Sequence, residues 1–593
     1  MTAFSAPLAD INFTLNHVVD LAAVAKLNGF QHADPETVRS LLEEADRFFA
    51  EVIAPLNVVG DRQGSTLQAD GSVRTPEGFK EAYRKYVGSG WAGAHVAEEW
   101  GGGGLPYTVG IVLQEMFKSA NMAFSLCALL TQAGIEALTE HGSEEQRATY
   151  LEKLVSGVWT GTMCLTEPHA GSDVGALTTR AERKPDGSYR IFGQKIFITW
   201  GEHDLAENIV HLVLARTPGS APGTKGISMF LVPKFIPDRA GNPGVRNDLK
   251  VVSLEHKLGI HASPTCVMSF GDGGEGATAY LIGEEQAGMR YMFTMMNNAR
   301  IGVAIEGLAL SERCYRQALE FTEIRKQGKA LSSPNQESQI IEHPDVRRML
   351  STIRAYVEAM RALLYSCAEA VDLERFAESV EAREAAGELV ALLTPIAKGW
   401  CTDLGVELTS LGIQVHGGMG FIEETGVAQY YRDARIAPIY EGTNGIQAID
   451  LVTRKLPMRQ GGVAGDLIDQ MAATVATAPA GLADLADALG LAVESLRNAT
   501  AHLLSSLETD PNQALAGATP YLRMFGTTLG GWFHLRSAAA ATGLIESGEG
   551  DTPFLQGRIG LARFYCRQLL PLATALLPAV VAPETDLAVK NLR

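Results

Sequence analysis

A change of hydrophobic period along the chain constrains its fold more than any single residue does. From about residue 35 to 158 apolar residues recur at helical spacing, opening with Pro35-Glu36-Thr37-Val38-Arg39-Ser40-Leu41-Leu42. From about 159 to 285 the period becomes two and β-branched residues rise, as in Ile209-Val210-His211-Leu212-Val213-Leu214 and Ile227-Ser228-Met229-Phe230-Leu231-Val232. Helical spacing then returns, first over 295–322. No helices alternate with the strands, so a doubly wound dinucleotide-binding sheet is not expected. The chain reads as α+β and multidomain: a helical domain over 1–158, a β domain over 159–285, a helical bundle over 286–455 and an additional all-α domain over 456–593. Pro457 and Gly461-Gly462 mark a linker before that last segment. Trp100-Gly101-Gly102-Gly103-Gly104-Leu105-Pro106 must be a loop, because consecutive glycines lose too much entropy in a regular element.

A net charge of -18 repels nucleic acid and anionic membranes, yet an anionic small molecule can still bind at a locally basic site. Residues 456–593 carry nine Lys and Arg against twelve Asp and Glu, which is no footprint for nucleic acid. Seven scattered cysteines, never in a CxxC pair, read as reduced core residues. No unbroken apolar run reads as long enough to span a bilayer, and the N-terminus has neither a basic start nor an apolar secretory segment. A cytoplasmic location without a membrane span is therefore expected. Without a Walker A sequence or HExxH, the commonest phosphoryl-transfer and zinc-hydrolase chemistries drop out, and no metal is expected.

Several segments can carry chemistry. Gly271-Asp272-Gly273-Gly274-Glu275-Gly276 fits GxGxxG by letter, but a strand-like run follows it, so no helix N-terminus is available for a pyrophosphate and a turn between strands is the better reading. Leu165-Thr166-Glu167-Pro168-His169-Ala170-Gly171-Ser172-Asp173 offers hydroxyls on a loosened backbone, either for a polar planar ligand or for a turn. Lys195-Ile196-Phe197-Ile198-Thr199-Trp200-Gly201 puts Phe197 and Thr199 on one strand face, an aromatic wall beside a hydroxyl that suits a flat ring. Gln414-Val415-His416-Gly417-Gly418 is a bend that lets backbone approach a pyrophosphate, or a helix C-cap. Arg325-Lys326-Gln327-Gly328-Lys329 supplies cations at a helix end. In Tyr440-Glu441-Gly442-Thr443-Asn444-Gly445-Ile446-Gln447 the glutamate sits on a loop between helices, where desolvation raises a carboxyl toward working pH. By spacing alone this stretch reads first as a helix-capping turn.

Taken together and in chain order, five of these motifs, Thr166-Glu167-Pro168 with Gly171-Ser172-Asp173, Phe197-Ile198-Thr199, Arg325-Lys326 with Gly328-Lys329, Gln414-Val415-His416-Gly417-Gly418 and Tyr440-Glu441-Gly442-Thr443, resemble the acyl-CoA dehydrogenase flavoprotein family over about residues 35–455. The added segment from 456, with Glu255-His256-Lys257-Leu258-Gly259 and Met295-Met296-Asn297-Asn298-Ala299-Arg300, is similar to a large bacterial branch of it. The resemblance implies FAD as cofactor and α,β-dehydrogenation of an acyl-CoA thioester to a 2,3-enoyl-CoA. Its leading implied substrate is 3-methylmercaptopropionyl-CoA of dimethylsulfoniopropionate breakdown, followed by short- or medium-chain fatty acyl-CoA. Electron-transfer flavoprotein is the implied acceptor, with an oxidase on the same fold or a nucleic-acid-binding relative as alternatives. A homo-oligomer, at least a dimer, is also implied.

By the same resemblance Glu441 is the α-proton base. Met163, Leu165, Thr166, Gly171, Ser172, Phe197 and Thr199 line the flavin, and Thr443 and Gly445 hold it from the other side. Arg325, Gln414, Gly417 and Gly418 reach the pyrophosphate of a neighbouring subunit's FAD. Ser172, Asn297, Arg300 and Gly442 contact substrate and CoA. In some relatives the base lies just before the arginine matching Arg300, but here that residue is Ala299 and cannot serve. Phe197 stands where Trp is more usual, Gln327 where Phe is common and Gly445 where Gln is common, so flavin contacts are expected to differ in detail.

Overall fold

The structure, a computed structural model, describes residues 4–331 and 336–587. Backbone contacts divide the chain into two compact units. One comprises Arg47–Leu105 and Ala120–Gly302; the other comprises Met1–Asp46, Pro106–Ser119 and Val303–Arg593.

The first unit is built on an eight-stranded sheet. Its long strand Tyr189–Thr199 pairs antiparallel with Arg180–Arg183, Thr265–Phe270 and Ala277–Leu281. Trp159–Cys164 ends the sheet, parallel to Asn208–Arg216. Val210, Leu212 and Leu214 enter one buried cluster while Val213 and Ala215 enter another, so alternate residues of Asn208–Arg216 face two separate cores. Burial on both faces explains why this strand reads as a continuous apolar run. Gly271–Gly276 is the turn between Thr265–Phe270 and Ala277–Leu281, not a phosphate loop.

One strand departs from regular alternation. Ile198 pairs with Cys266 but Lys195 with Met268, so Ile196 and Phe197 lie opposite the single residue Val267. This bulge puts Phe197 at φ 59°, and just past the strand's end Trp200 holds φ 55°. Phe197 and Thr199 are therefore not presented by a plain pleated strand, as the period predicts. Phe197 is aimed outward by a locally kinked backbone.

The second unit is helical. The helix Gly288–Ile324 begins seven residues earlier than its apolar pattern and runs for 37 residues. Pro344–Phe376 and Val380–Val415 follow, the latter capped by Ser379 accepting from the Ala382 N–H. A Cβ at Gly307 would lie 2.0 Å from the Cys401 carbonyl oxygen, so glycine there lets Gly288–Ile324 cross Val380–Val415 in close contact. The linker expected at Pro457 and Gly461-Gly462 takes the form of a tight turn over Met458–Gly461, in which Arg459 and Gln460 hold φ 47° and 57°. The helices after it, including Ala518–Ser547, cluster in the same compact unit as the bundle.

The expectation of no span-length apolar segment needs correction. Among the described residues three helices, Met122–His141, Val380–Val415 and Thr552–Val581, are long and apolar enough to cross a membrane. The first two are mostly buried, at 83% and 78% of their apolar windows, against 28% for the third. A helix packed on most sides needs no polar face, and its alanines, glycines and threonines break up the run without lowering its mean hydropathy much. All seven cysteines are free and buried.

Candidate active site

In the sheet-containing unit, the loop after Trp159–Cys164 is locked by Glu167. Its carboxylate accepts from Lys195 Nζ at 2.8 Å and from the N–H and hydroxyl groups of Thr178 and Thr179. Burial opposes that charge, but Lys195 and the threonine donors outweigh it and hold the carboxyl down at about 2. Lys195 also donates to the Leu165 carbonyl at 2.9 Å, and the Thr166 carbonyl accepts from the Ile196 N–H at 2.9 Å. Glu167 is thus a fastening that sets Leu165 and Thr166 next to the bulge bearing Phe197.

Phe197 is 58% exposed, unusual for a phenylalanine held at positive φ. Thr199, Leu165 and Thr166 are half-buried, Gly171 and Ser172 exposed, and Met163 buried. An outward aromatic beside two hydroxyl-bearing residues fits a planar, hydrogen-bonding ring system such as a flavin. Asn297 is exposed, whereas Arg300 is buried with its guanidinium 5.9 Å from the Phe293 ring.

The helical unit carries the other residues. Phe321 stacks on His416 at 4.5 Å, bringing the end of Gly288–Ile324, and hence Arg325, to the 414–418 bend. His416 Nδ1 bonds the Gly412 carbonyl at 2.8 Å and its buried Nε2 has no partner. Arg325, Gln414, Gly417 and Gly418 are exposed, and nothing lies within 4 Å of a Cβ built on either glycine. A guanidinium, an amide and an open glycine backbone form a fitting cradle for an anionic group.

Glu441 holds φ 56°, a left-handed backbone that costs a non-glycine residue about 1–3 kcal/mol and persists only where its surroundings impose it. Those surroundings are specific. Gly442 O accepts from Lys398 Nζ at 2.7 Å and from Gln447 Nε2 at 3.2 Å, and Asn444 N–H donates to Pro438 O at 3.0 Å. Asn444 is bound to Val380–Val415 through Gly399 O, Thr402 and Asp403. Thr443 caps the short helix Asn444–Asp450, accepting from the Ile446 N–H, while Gly445 is exposed. The capping turn expected at this stretch is therefore present, in the same loop that holds Glu441 at positive φ.

Just before Glu441, the Tyr440 hydroxyl lies 2.6 Å from both carboxylate oxygens of Glu306. Burial raises Glu306 to about 7, against the pull of Lys118, the Tyr440 hydrogen bond and Lys398, and Glu441 pushes it further up. Burial likewise lowers Lys118 to about 8, with Glu306 opposing. Elimination of Ala299 leaves Glu441 as the expected base, yet Glu306 is a second carboxylate coupled to it. The signal is visible in Val303-Ala304-Ile305-Glu306-Gly307-Leu308, a lone charge in a buried helical stripe.

A β domain followed by a helical bundle is the layout of the acyl-CoA dehydrogenases, and the chain belongs to the acyl-CoA dehydrogenase family. Family models for the N-terminal domain match 35–158, for the middle domain 162–272 and for the C-terminal domain 286–456, and one described as acetyl-CoA dehydrogenase C-terminal like matches 467–589. The chain is 46% identical to the 3-methylmercaptopropionyl-CoA dehydrogenase of Ruegeria pomeroyi over 96% of each chain. It is 34% identical to the broad-specificity linear acyl-CoA dehydrogenase FadE5 of Mycobacterium tuberculosis over 99% of each. The crystal structure of Caenorhabditis elegans ACDH-11 in complex with C11-CoA shares the fold, with a TM-score of 0.77 at 20% identity over 96% of this chain and 93% of that one. The protein is an FAD-dependent acyl-CoA dehydrogenase.

Proposed function

We propose that the chain oxidises 3-methylmercaptopropionyl-CoA at its α,β bond, with Glu441 as the base. The observation that carries the substrate is the 46% identity, spread over 96% of both chains, to a dehydrogenase of that thioester. The base is read from position: Glu441 is the one carboxylate of a strained loop tied down on both flanks. FAD, when bound, supplies the acceptor for the β-hydride. Glu441 takes the α-proton, and its own backbone N–H polarises the thioester carbonyl so that the α C–H becomes acidic enough to lose it. Phe197, Thr166 and Thr199 hold the ring of the cofactor, and Arg325 with the 414–418 bend holds a pyrophosphate, in a neighbouring copy of a homo-oligomer. Electron-transfer flavoprotein is the acceptor in this reading. Hydrogen peroxide formed from acyl-CoA without added acceptor would instead identify an oxidase.

The substrate is tested by ranking acyl-CoA thioesters by kcat/KM with an artificial acceptor. A pocket shaped to one acyl chain discriminates by about tenfold or more per misplaced group. 3-Methylmercaptopropionyl-CoA is expected to exceed butyryl-CoA by at least about that factor, and equality of the two would remove the assignment. Phe197→Ala should leave thermal stability nearly unchanged, within about 0.5 kcal/mol, because the side chain is mostly exposed. The same variant should retain less FAD, read from the flavin-to-protein absorbance ratio. Full FAD content with a lowered melting point would make Phe197 a packing residue.

A further inference from the structure

The loop around Glu441 is held from two sides by buried charges that the reaction itself does not consume. On one side Lys398, wholly buried, donates to the Gly442 carbonyl and to Asn444 Oδ1 at 2.9 Å. On the other, Tyr440 is fastened through its hydroxyl to Glu306, which is 0% exposed. Gly307, which permits the close crossing of Gly288–Ile324 with Val380–Val415, sets Glu306 and Lys398 on neighbouring backbones. An acidic side chain buried without a structural task is costly and is ordinarily lost to an apolar one.

We propose that Glu306 is a positioning residue for the base: it anchors Tyr440, and through Tyr440 holds Glu441 in its left-handed turn. The proposal rests on the reading of Glu441 as the α-proton base. The groups facing Glu306 are Lys118, Lys398, Tyr440 and Glu441. Lys118, at 1% exposure, keeps Glu306 from being an uncompensated buried charge.

Two variants at Glu306 test the anchor. Glu306→Leu removes the acceptor of the Tyr440 hydroxyl, so kcat should fall about tenfold or more with KM within about twofold, whereas Glu306→Gln keeps an oxygen for that hydroxyl and should stay within about threefold of the parent kcat. Tyr440→Phe keeps the ring but cuts the same anchor and should match Glu306→Leu. An unchanged kcat in a folded, FAD-loaded Tyr440→Phe enzyme overturns the proposal, as does a Glu306→Gln enzyme as slow as Glu306→Leu. If Glu306→Leu does not fold, Tyr440→Phe decides alone. Glu441→Gln is assayed beside them: retained turnover there sinks the reading of the base itself, whereas lost turnover with an unchanged kcat in Tyr440→Phe sinks this proposal only.

Discussion

Glu441→Gln is expected to keep FAD bound and to lower kcat roughly 100- to 10,000-fold, the range that a positioned general base contributes. The amide matches the carboxylate in size and keeps the backbone N–H, so thioester binding should change little. What it lacks is a site for the α-proton. Glu441 lies on a loop whose neighbours are fastened to Glu306 and Lys398, and a neutral side chain there disturbs neither anchor. In the parent enzyme kcat/KM should fall on acidification as Glu441 becomes protonated, since only the ionised form can accept a proton. Loss of FAD from the variant, in place of loss of rate, would assign Glu441 to cofactor binding.

The largest stability effect is expected at Arg361. Its guanidinium is 0% exposed and meets Glu115 at 2.8 Å, Glu312 at 3.0 Å and Glu358 at 3.0 Å, with Tyr365 donating to Glu115 at 2.6 Å. These groups come from Tyr107–Ala120, Gly288–Ile324 and Pro344–Phe376, so one side chain joins three helices. Arg558, from Thr552–Phe564, extends the network by bonding Glu358 and Asp10. Arg361→Met removes the cation and leaves carboxylates buried, a loss of about 3–5 kcal/mol. Urea unfolding followed by far-UV circular dichroism measures it. A loss below about 1 kcal/mol would mean that the carboxylates are compensated by Arg558 together with Arg354 and Arg316, which pair with Glu358 at 3.2 Å and Glu312 at 2.7 Å. Adding Glu115→Gln to Arg361→Met should recover part of the loss, because the carboxylate then stranded is removed.

The layers of the fold were legible because burial marks the sequence: a short apolar run at Ile227–Pro233, buried at every position, and helical spacing in Pro35–Phe48. The candidate site was readable as residue types unusual in their setting, Glu441 between helices and the glycines after His416, and the structure gives these positions positive φ at Glu441 and Gly417. The bulge at Phe197 was not, since an inserted residue is set by the partner strand Thr265–Phe270, which lies far along the chain. Nor were the buried charge networks. Arg361 looks like an ordinary solvated helix residue until the helices that enclose it are placed, and Glu306 stands out in its apolar stripe without showing its partner; Glu115 and Tyr440 lie 246 and 134 positions away from them. Two of the span-length helices, Met122–His141 and Val380–Val415, were missed for a related reason, because a helix buried on most sides is apolar on average without an unbroken run.

Anaerobic mixing of 3-methylmercaptopropionyl-CoA with the FAD-loaded enzyme, alongside Glu441→Gln, tests the central claim most directly. Oxidised flavin absorbance should bleach rapidly in the parent enzyme and remain in the variant, although both bind the thioester. Bleaching of the variant at the parent's rate would show that Glu441 is not the base.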